Sequence, residues 1–316
     1  MRFDDRRVMT KIASLYYFDG WTQAKIAKKY GVSRPVISKA LQRAKDEGIV
    51  EIYIKDESVH TVKLEKELEQ KYSLKEVIVV STENFSEEMI LKSLGKAMAS
   101  YVNSVVKNDM KIGISWGKTL AAFVEEYPFE RHESIHVIPL VGGMGRNQVE
   151  VHANQLANRL AHKVGGTCTY LYAPAIVGSK DLKDRLIDSE DLIEVLEEGR
   201  NVNVALVGVG NPYIGSTMTD IGYLEEKDLA EIKASGVVGD INSQFFDRSG
   251  TNTHLPINDR VIGIGLTDLK NIEEVVCIGH GDHKVESIHL AATFNFIDVL
   301  ITDEHTAKQL TKMKPK

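Results

Sequence analysis

The chain has 316 residues, 43% of them hydrophobic and 27% charged, with a net charge of −6. That length corresponds to about two domains, the composition to packed units rather than a disordered chain, and no apolar run nears the roughly 18 to 20 residues a membrane span needs. Cys168 and Cys277 lie too far apart for a disulfide framework or a cysteine-rich zinc site, and the N-terminus MRFDDRRVMT lacks the apolar stretch of a secretory signal, so a cytoplasmic protein is expected.

The net charge hides an asymmetry. Residues 1–50 hold 11 Lys/Arg against five Asp/Glu, a net of +6, which leaves −12 on the remaining 266. Residues 23–45 hold seven basic groups and no acidic one. A small cationic head on a large anionic body points to a polyanion partner. A charge run alone is more often a solvated helix face, so the pattern beneath the charges decides.

In the head, Val8, Ile12, Leu15 and Tyr16 recur at helical spacing and define a first helix, ended by Asp19-Gly20. Thr22 is a capping residue for a second helix, QAKIAKKY, whose Ile26, Ala27 and Tyr30 share a face. Gly31 suits a left-handed turn. Ser33 is placed to cap a third helix, with Pro35 in its first turn and Ile37, Ala40 and Leu41 inward. This is helix-turn-helix spacing. The outward side chains of the third helix are Arg34, Pro35, Val36, Ser38, Lys39, Gln42 and Arg43. Arg and Lys donate to guanine, Gln pairs with adenine, Val36 meets a thymine methyl, and Ser33 and Ser38 reach phosphates. Thr22 and Gln23, opening the second helix, join them as expected DNA contacts. The blander reading is a three-helix bundle with a basic surface. Residues 49–56, IVEIYIKD, alternate and read as a short strand, a candidate wing.

Residues 59–72 form a charged helix, either a linker packed on the body or part of a dimer contact. From residue 73 strands alternate with helices. Expected strands are 76–80, 111–117, 136–143, 169–174, 202–210, 261–266, 274–279 and 298–302. Expected helices include 87–106, 149–163, 188–199, 225–234, 284–294 and 304–312. Continuous apolar strands between amphipathic helices imply a Rossmann-like, mostly parallel α/β body. The fold class is therefore α/β: a winged, three-helix helix-turn-helix unit over 1–58, a linker helix over 59–72, and an effector-binding and oligomerisation body over 73–316.

Ligands of such sheets bind beyond the carboxyl ends of the strands. Four strand ends carry small and polar residues: Ser115-Trp116-Gly117-Lys118-Thr119, Gly142-Gly143-Met144-Gly145, Gly208-Val209-Gly210-Asn211, and Gly279-His280-Gly281-Asp282-His283-Lys284. Glycine at a helix entry bares backbone N–H groups that favour phosphate. Any one such loop is weak; four on one edge, near Lys118 and Lys284, point to a small anion. Gly208-x-Gly210 is no dinucleotide fingerprint, since Tyr213 stands where a third glycine would fall. There is no G-x-x-x-x-G-K-[ST] loop, G-x-S-x-G elbow or H-E-x-x-H helix. His280, His283 and His289 lack the carboxylate or cysteine pattern of a metal site, so no metal, cofactor or catalytic residue is expected.

Taken together, LYYFDGWTQAKIAKKYGVSRPVISKALQRAKDEGIV in the head, GISWGKT (113–119), VIPLVGG (137–143), VGDINSQFFD (238–247), INDRVIGIGL (257–266), the GxGxxK segment (279–284) and LITDEHTA (300–307) resemble the SorC/DeoR-type sugar-binding transcriptional regulators of bacteria. The resemblance spans nearly the whole chain. It implies a helix-turn-helix domain and an effector domain similar to phosphosugar isomerases, which senses a sugar phosphate and sets DNA affinity, in dimers or tetramers. By this resemblance Ser115, Gly117, Lys118 and Thr119 form the phosphate loop, with Lys284 as the lysine of the last glycine loop after Gly279 and Gly281. Gly142, Gly143, His152 and Asn154 line the sugar pocket, Asp240 accepts a hydroxyl, and Gly210 joins the set. Val141 stands where some branches carry Lys or Arg, so no Schiff base or charge contact comes from there. His280 stands where a second glycine is common.

The expected function is a regulator whose affinity for double-stranded operator DNA answers to a phosphorylated sugar or polyol. Two or more heads would act on half-sites about one helical turn, or a multiple of it, apart. The rivals are a sugar-phosphate isomerase, with Asp240, Asp282 or Asp303 as base, and a DNA-binding module whose body only oligomerises.

Overall fold

A computed structural model of the chain describes residues 5–50, 59–143, 147–250 and 255–314. It divides into two compact units, residues 1–59 and 60–316. The first holds α1 (Arg6–Tyr17), α2 (Gln23–Tyr30) and α3 (Arg34–Asp46). Val8, Ile12 and Ala13 of α1, Ile26 and Ala27 of α2, and Ile37, Ala40 and Leu41 of α3 close one small core. The sequence reading of these three inner faces holds, although Leu15, Tyr16 and Tyr30 are only partly covered. Most of the expected wing lies outside the described residues.

The second unit opens with α4 (Val59–Tyr72), then β1 (Glu76–Val80), α5 (Glu87–Val105), β2 (Lys111–Ile114), α6 (Lys118–Glu126) and β3 (His136–Pro139). Next come α7 (Ala153–Val164), β4 (Thr167–Cys168), α8 (Lys180–Ile187), α9 (Glu190–Arg200) and β5 (Val204–Gly210). The short α10 (Thr217–Asp220), α11 (Glu226–Ala234), β6 (Val237–Ile241), β7 (Gln244–Asp247) and α12 (Leu266–Leu269) follow. The chain ends with β8 (Glu274–Ile278), α13 (Val285–Thr293), β9 (Val299–Asp303) and α14 (Glu304–Lys312).

The sheet runs β1-β9-β8-β5-β2-β3-β4, all parallel. Alternate residues serve alternate faces: Val204 and Leu206 of β5, with Val276 and Ile278 of β8, pack beneath α5, α6 and α7. Ala205, Val207, Val275 and Cys277 pack on the other side with α4, α9, α13 and α14. That is why these strands read as unbroken apolar runs. At the edge, the amides of Val77 and Val79 donate to Glu69 and Glu65 of α4 at 3.1 and 2.9 Å, so α4 covers two donors an edge strand would leave open.

Several expectations are corrected. The strand expected over 169–174 is the two-residue β4, ending before it. Residues 261–266 form no strand: Val261 and Gly263 make single antiparallel bridges to Ile176 and Val141, and Leu266 opens α12. Their apolar side chains fill the core from an irregular segment. The helix expected over 149–163 is split at His152, with a 3₁₀ turn over Val149–Val151 ahead of α7. The VGDINSQFFD segment, unassigned in the sequence, is the β6–β7 hairpin, antiparallel to the end of β5. Its turn residues Asn242 and Ser243 take φ of 54° and 61°, the left-handed pair of a tight hairpin turn.

α5 and α6 meet most closely at Gly95, where a Cβ would stand 2.7 Å from the carbonyl carbon and oxygen of Ala122. Gly95→Ala should therefore lower stability by about 1–3 kcal/mol, read as a lower urea midpoint; an unchanged midpoint would contradict the close approach.

Candidate effector cavity and nucleic-acid interface

In the head, Thr22 accepts the Lys25 amide at 3.2 Å and caps α2, and Gly31 takes the left-handed conformation with φ 66°. Ser33 occupies the cap position of α3, but its side chain makes no capping bond, which corrects the sequence expectation. Arg34, Pro35, Ser38, Lys39 and Gln42 are exposed, Val36 and Arg43 half-buried. Gln42 donates to Asp46 at 2.9 Å and Arg43 pairs with Glu47 at 2.8 Å, so the far end of α3 is tied to its own acids. Thr22 is exposed and Gln23 half-buried at the start of α2, where Lys25 and Lys29 lie over the Trp21 ring at 4.0 and 5.0 Å. The arrangement offers a polyanion Arg34, Ser38 and Lys39 first, flanked by two lysines that an aromatic ring holds in place.

In the second unit a cavity of about 360 Å³ opens beyond the carboxyl ends of β2, β5 and β8. It gathers Ser115, Gly117, Lys118, Thr119, Gly210, Asp240 and Lys284 into one wall system. Gly117, with φ 122°, turns the chain into α6 and leaves the first-turn amides facing this space. Ser115 is buried and its hydroxyl donates to Asn242 Oδ1 at 2.8 Å; Asn242 in turn donates to the carbonyls of Leu140 and Ile264 at 3.0 and 3.1 Å. Trp116 Nε1 donates to Ser243 Oγ at 2.9 Å, so the hairpin turn is fastened to the end of β2. Lys118 meets Asp220 at 3.1 Å at the exposed mouth.

The electrostatic centre is Asp240 with Lys284. Burial pushes the Asp240 carboxyl up to about 7, against the pull of Lys284 and the Ser243 amide. Desolvation likewise pulls the Lys284 ammonium down, against the attraction of Asp240. Lys284 is half-buried, its remaining surface lining the cavity, and among the described residues no carboxylate comes within 4.0 Å of its nitrogen. A cation so placed is a receptor for an incoming anion. Gly210 has a different task from the phosphate contact expected of it: a Cβ there would stand 2.0 Å from Asp240 Oδ1, so its bare backbone makes room for the acid. Gly281, at φ 97°, turns the loop into the 3₁₀ turn over Asp282–Lys284. Gly279 lies behind the wall, close to Ile288.

Four expected residues stand off the cavity wall. Gly142 is threaded past the carbonyls of Ala173 and Pro174, 2.5 Å from where its Cβ would lie, and Gly143 packs on His152. His152 bonds the Asn147 carbonyl through Nε2 at 3.1 Å, which makes Nε2 the donor and Nδ1 the acceptor of the Tyr223 hydroxyl at 2.9 Å. Asn154 clamps the Leu171 backbone from both sides, at 2.9 and 3.0 Å. Their polar groups are committed to structure. Val141 is fully buried.

Sequence reasoning missed other wall residues. His280 is buried and Glu87 Oε1 stands 3.4 Å from its Nε2. Burial lowers the pKa of His280 and of His283, favouring neutral rings that suit hydroxyl groups. Asn211 accepts the amides of Tyr213 and Ile214 and donates to the His283 carbonyl at 2.7 Å, which joins two wall loops. Asn242 carried a faint signal in its hairpin-turn position; Glu87, distant in sequence, carried none.

Residues 56–312 match the family model described as "Putative sugar-binding domain". The chain is 32% identical over 308 residues to the deoxyribonucleoside regulator of Bacillus subtilis (strain 168), covering 97% of this chain and 98% of that one. The chain belongs to the SorC/DeoR family of transcriptional regulators. The sorbitol operon regulator of Klebsiella pneumoniae is 30% identical, with 98% and 99% covered, and its full-length crystal structure superposes with a TM-score of 0.76. A DeoR family regulator from Listeria monocytogenes shares 41% identity over 79% of this chain and 99% of its own, with a TM-score of 0.75. Like these SorC/DeoR proteins, the chain is a transcriptional regulator with an α/β sugar-binding domain.

The value near 7 at Asp240 has a pH signature. The folded carboxyl holds its proton more tightly than the unfolded one, so stability is greatest below about pH 4 as far as this group is concerned and is lost as pH rises toward 7. Asp240→Asn removes that loss, and its melting temperature should fall less than that of the wild type between pH 5 and pH 8. Parallel curves would contradict a raised Asp240.

Proposed function

We propose that this regulator's affinity for operator DNA is set by a phosphorylated sugar or polyol held in the cavity. The observation that carries this reading is the unpaired Lys284 sharing one cavity with the α6 N-terminus. The phosphoryl group is taken up by Lys284 and the amides of Lys118 and Thr119, and the sugar hydroxyls by Asp240, His280 and His283. The size of the cavity suits a small polar ligand. Two named relatives, the sorbitol and deoxyribonucleoside regulators, support the ligand class.

The head, residues 1–58, reads duplex DNA through α3, and residues 73–316 bind effector and pair with further copies as a dimer or tetramer, with 59–72 as linker. No described helix is long and apolar enough to cross a membrane, which agrees with a cytoplasmic regulator. A coupling of about 1–3 kcal/mol between the two ligands changes operator affinity roughly 5- to 150-fold.

A second reading has one observation in its favour. A carboxyl near 7 beside a lysine is suited to proton abstraction from a sugar carbon. Turnover of sugar phosphates by the pure protein would establish an isomerase; the absence of turnover with retained binding supports the sensor.

A thermal-shift panel of sorbitol 6-phosphate, fructose 6-phosphate and 2-deoxyribose 5-phosphate tests the effector. At 100 times its Kd a true effector stabilises by about 2.7 kcal/mol, and Lys284→Met should abolish that shift. No shift with any phosphosugar would favour a body that only oligomerises. In the head, Arg34→Ala with Lys39→Ala should flatten the slope of log K against log salt by about 1 per lost phosphate contact; an unchanged slope would remove α3 from the DNA.

A further inference from the structure

The last helix touches both the cavity loop and the first helix of the same unit. Asp303, at the tip of β9, caps α14 by accepting the His305 and Thr306 amides at 3.2 and 3.3 Å. Three consecutive residues then reach two ways. The buried Thr306 Oγ1 accepts the Gly281 amide at 2.8 Å, and His305 Nε2 bonds Asp282 Oδ1 at 2.6 Å. Both partners belong to the loop that ends in Lys284. Glu304 instead accepts from His60 Nε2, in the first turn of α4, at 3.1 Å. At the other end of the same two helices, Lys71 donates to the carbonyls of Leu310 and Thr311, each at 2.9 Å. α4 begins where the chain passes from the first compact unit to the second.

We propose that the first turn of α14 is the relay that carries cavity occupancy to α4, entering at Gly281 and Asp282 and leaving at Glu304 and His60. The inference rests on the effector reading above. An anion drawn to Lys284 pulls on a loop with little slack, because two bonds tie it to α14. The Gly281 amide cannot give up its buried acceptor without leaving a polar group unsatisfied, so the helix end moves with the loop. Glu304 sits one residue from His305 in the same turn and moves as one body with it. The only ligand-dependent contacts required are those at Lys284, which satisfies the demand that an effector bind two states unequally.

Hydrogen exchange on the full chain tests the relay without knowledge of the effector, reading the amides of residues 63–72 in α4. Lys284→Gln perturbs the cavity; Thr306→Val cuts the buried link and His305→Ala the exposed one. In the otherwise wild-type chain, Lys284→Gln should change α4 exchange roughly 2- to 30-fold. With either link cut, the same substitution should change it less than about 2-fold. His305 is exposed, so His305→Ala keeps the test decisive should Thr306→Val fail to fold. No response of α4 to Lys284→Gln, or an equal response in cut and uncut chains, overturns the relay. In a second arm, with 2-deoxyribose 5-phosphate or sorbitol 6-phosphate as probe, the cut variants should keep the wild-type thermal shift and lose the shift in operator affinity. A wild-type chain that ignores both probes faults the effector reading, and the exchange cycle still judges the relay by itself.

Discussion

The second unit is organised around a carboxyl and an ammonium that share a cavity without meeting. Desolvation weakens the charge of each, and each offers the other partial relief. Two such groups in direct contact would satisfy one another and leave nothing for a ligand. Held apart, they leave a positive centre that an anion completes and a hydroxyl acceptor beside it. A phosphoryl group entering here replaces lost hydration with fixed donors.

Holding that separation requires rigid supports from several directions. β5 and β8 are buried on both faces, and they place Gly210 and the Gly279–Lys284 loop at one end of the sheet. The β6–β7 hairpin turns antiparallel to β5 and lays Asp240 over Gly210. Asn242 then locks the hairpin turn to Ser115, Leu140 and Ile264. α13 closes the other side, where Ser287 donates to the Val238 carbonyl at 3.0 Å.

Much of this was legible because it is local. The three helices of the head follow from apolar spacing, Thr22 and Gly31, and the parallel strands from apolar runs between amphipathic helices. Ser115, Thr119, Asp240 and Lys284 were named from their loops and do share a cavity. What was not legible depends on partners far away in the chain. Ser33 sits at a cap position without making the bond. Asn154 is polar on a helix, and nothing nearby reveals that Leu171 engages both ends of its amide. Residues 261–266 alternate like a strand, yet find pairing partners at only two positions. His280 and His283 looked like ordinary solvated or core histidines until the fold set them beside Glu87.

The clash between a side chain at position 210 and the acid at position 240 has a consequence for the history of the family. Neither residue is free to vary alone. A larger residue at 210 would expel the carboxylate from its berth, and a shorter one at 240 would leave a hollow beside the glycine. Descendants of this chain that abandon the acid are thereby released from the glycine, so the two positions should covary as a single character and mark a boundary between ligand classes.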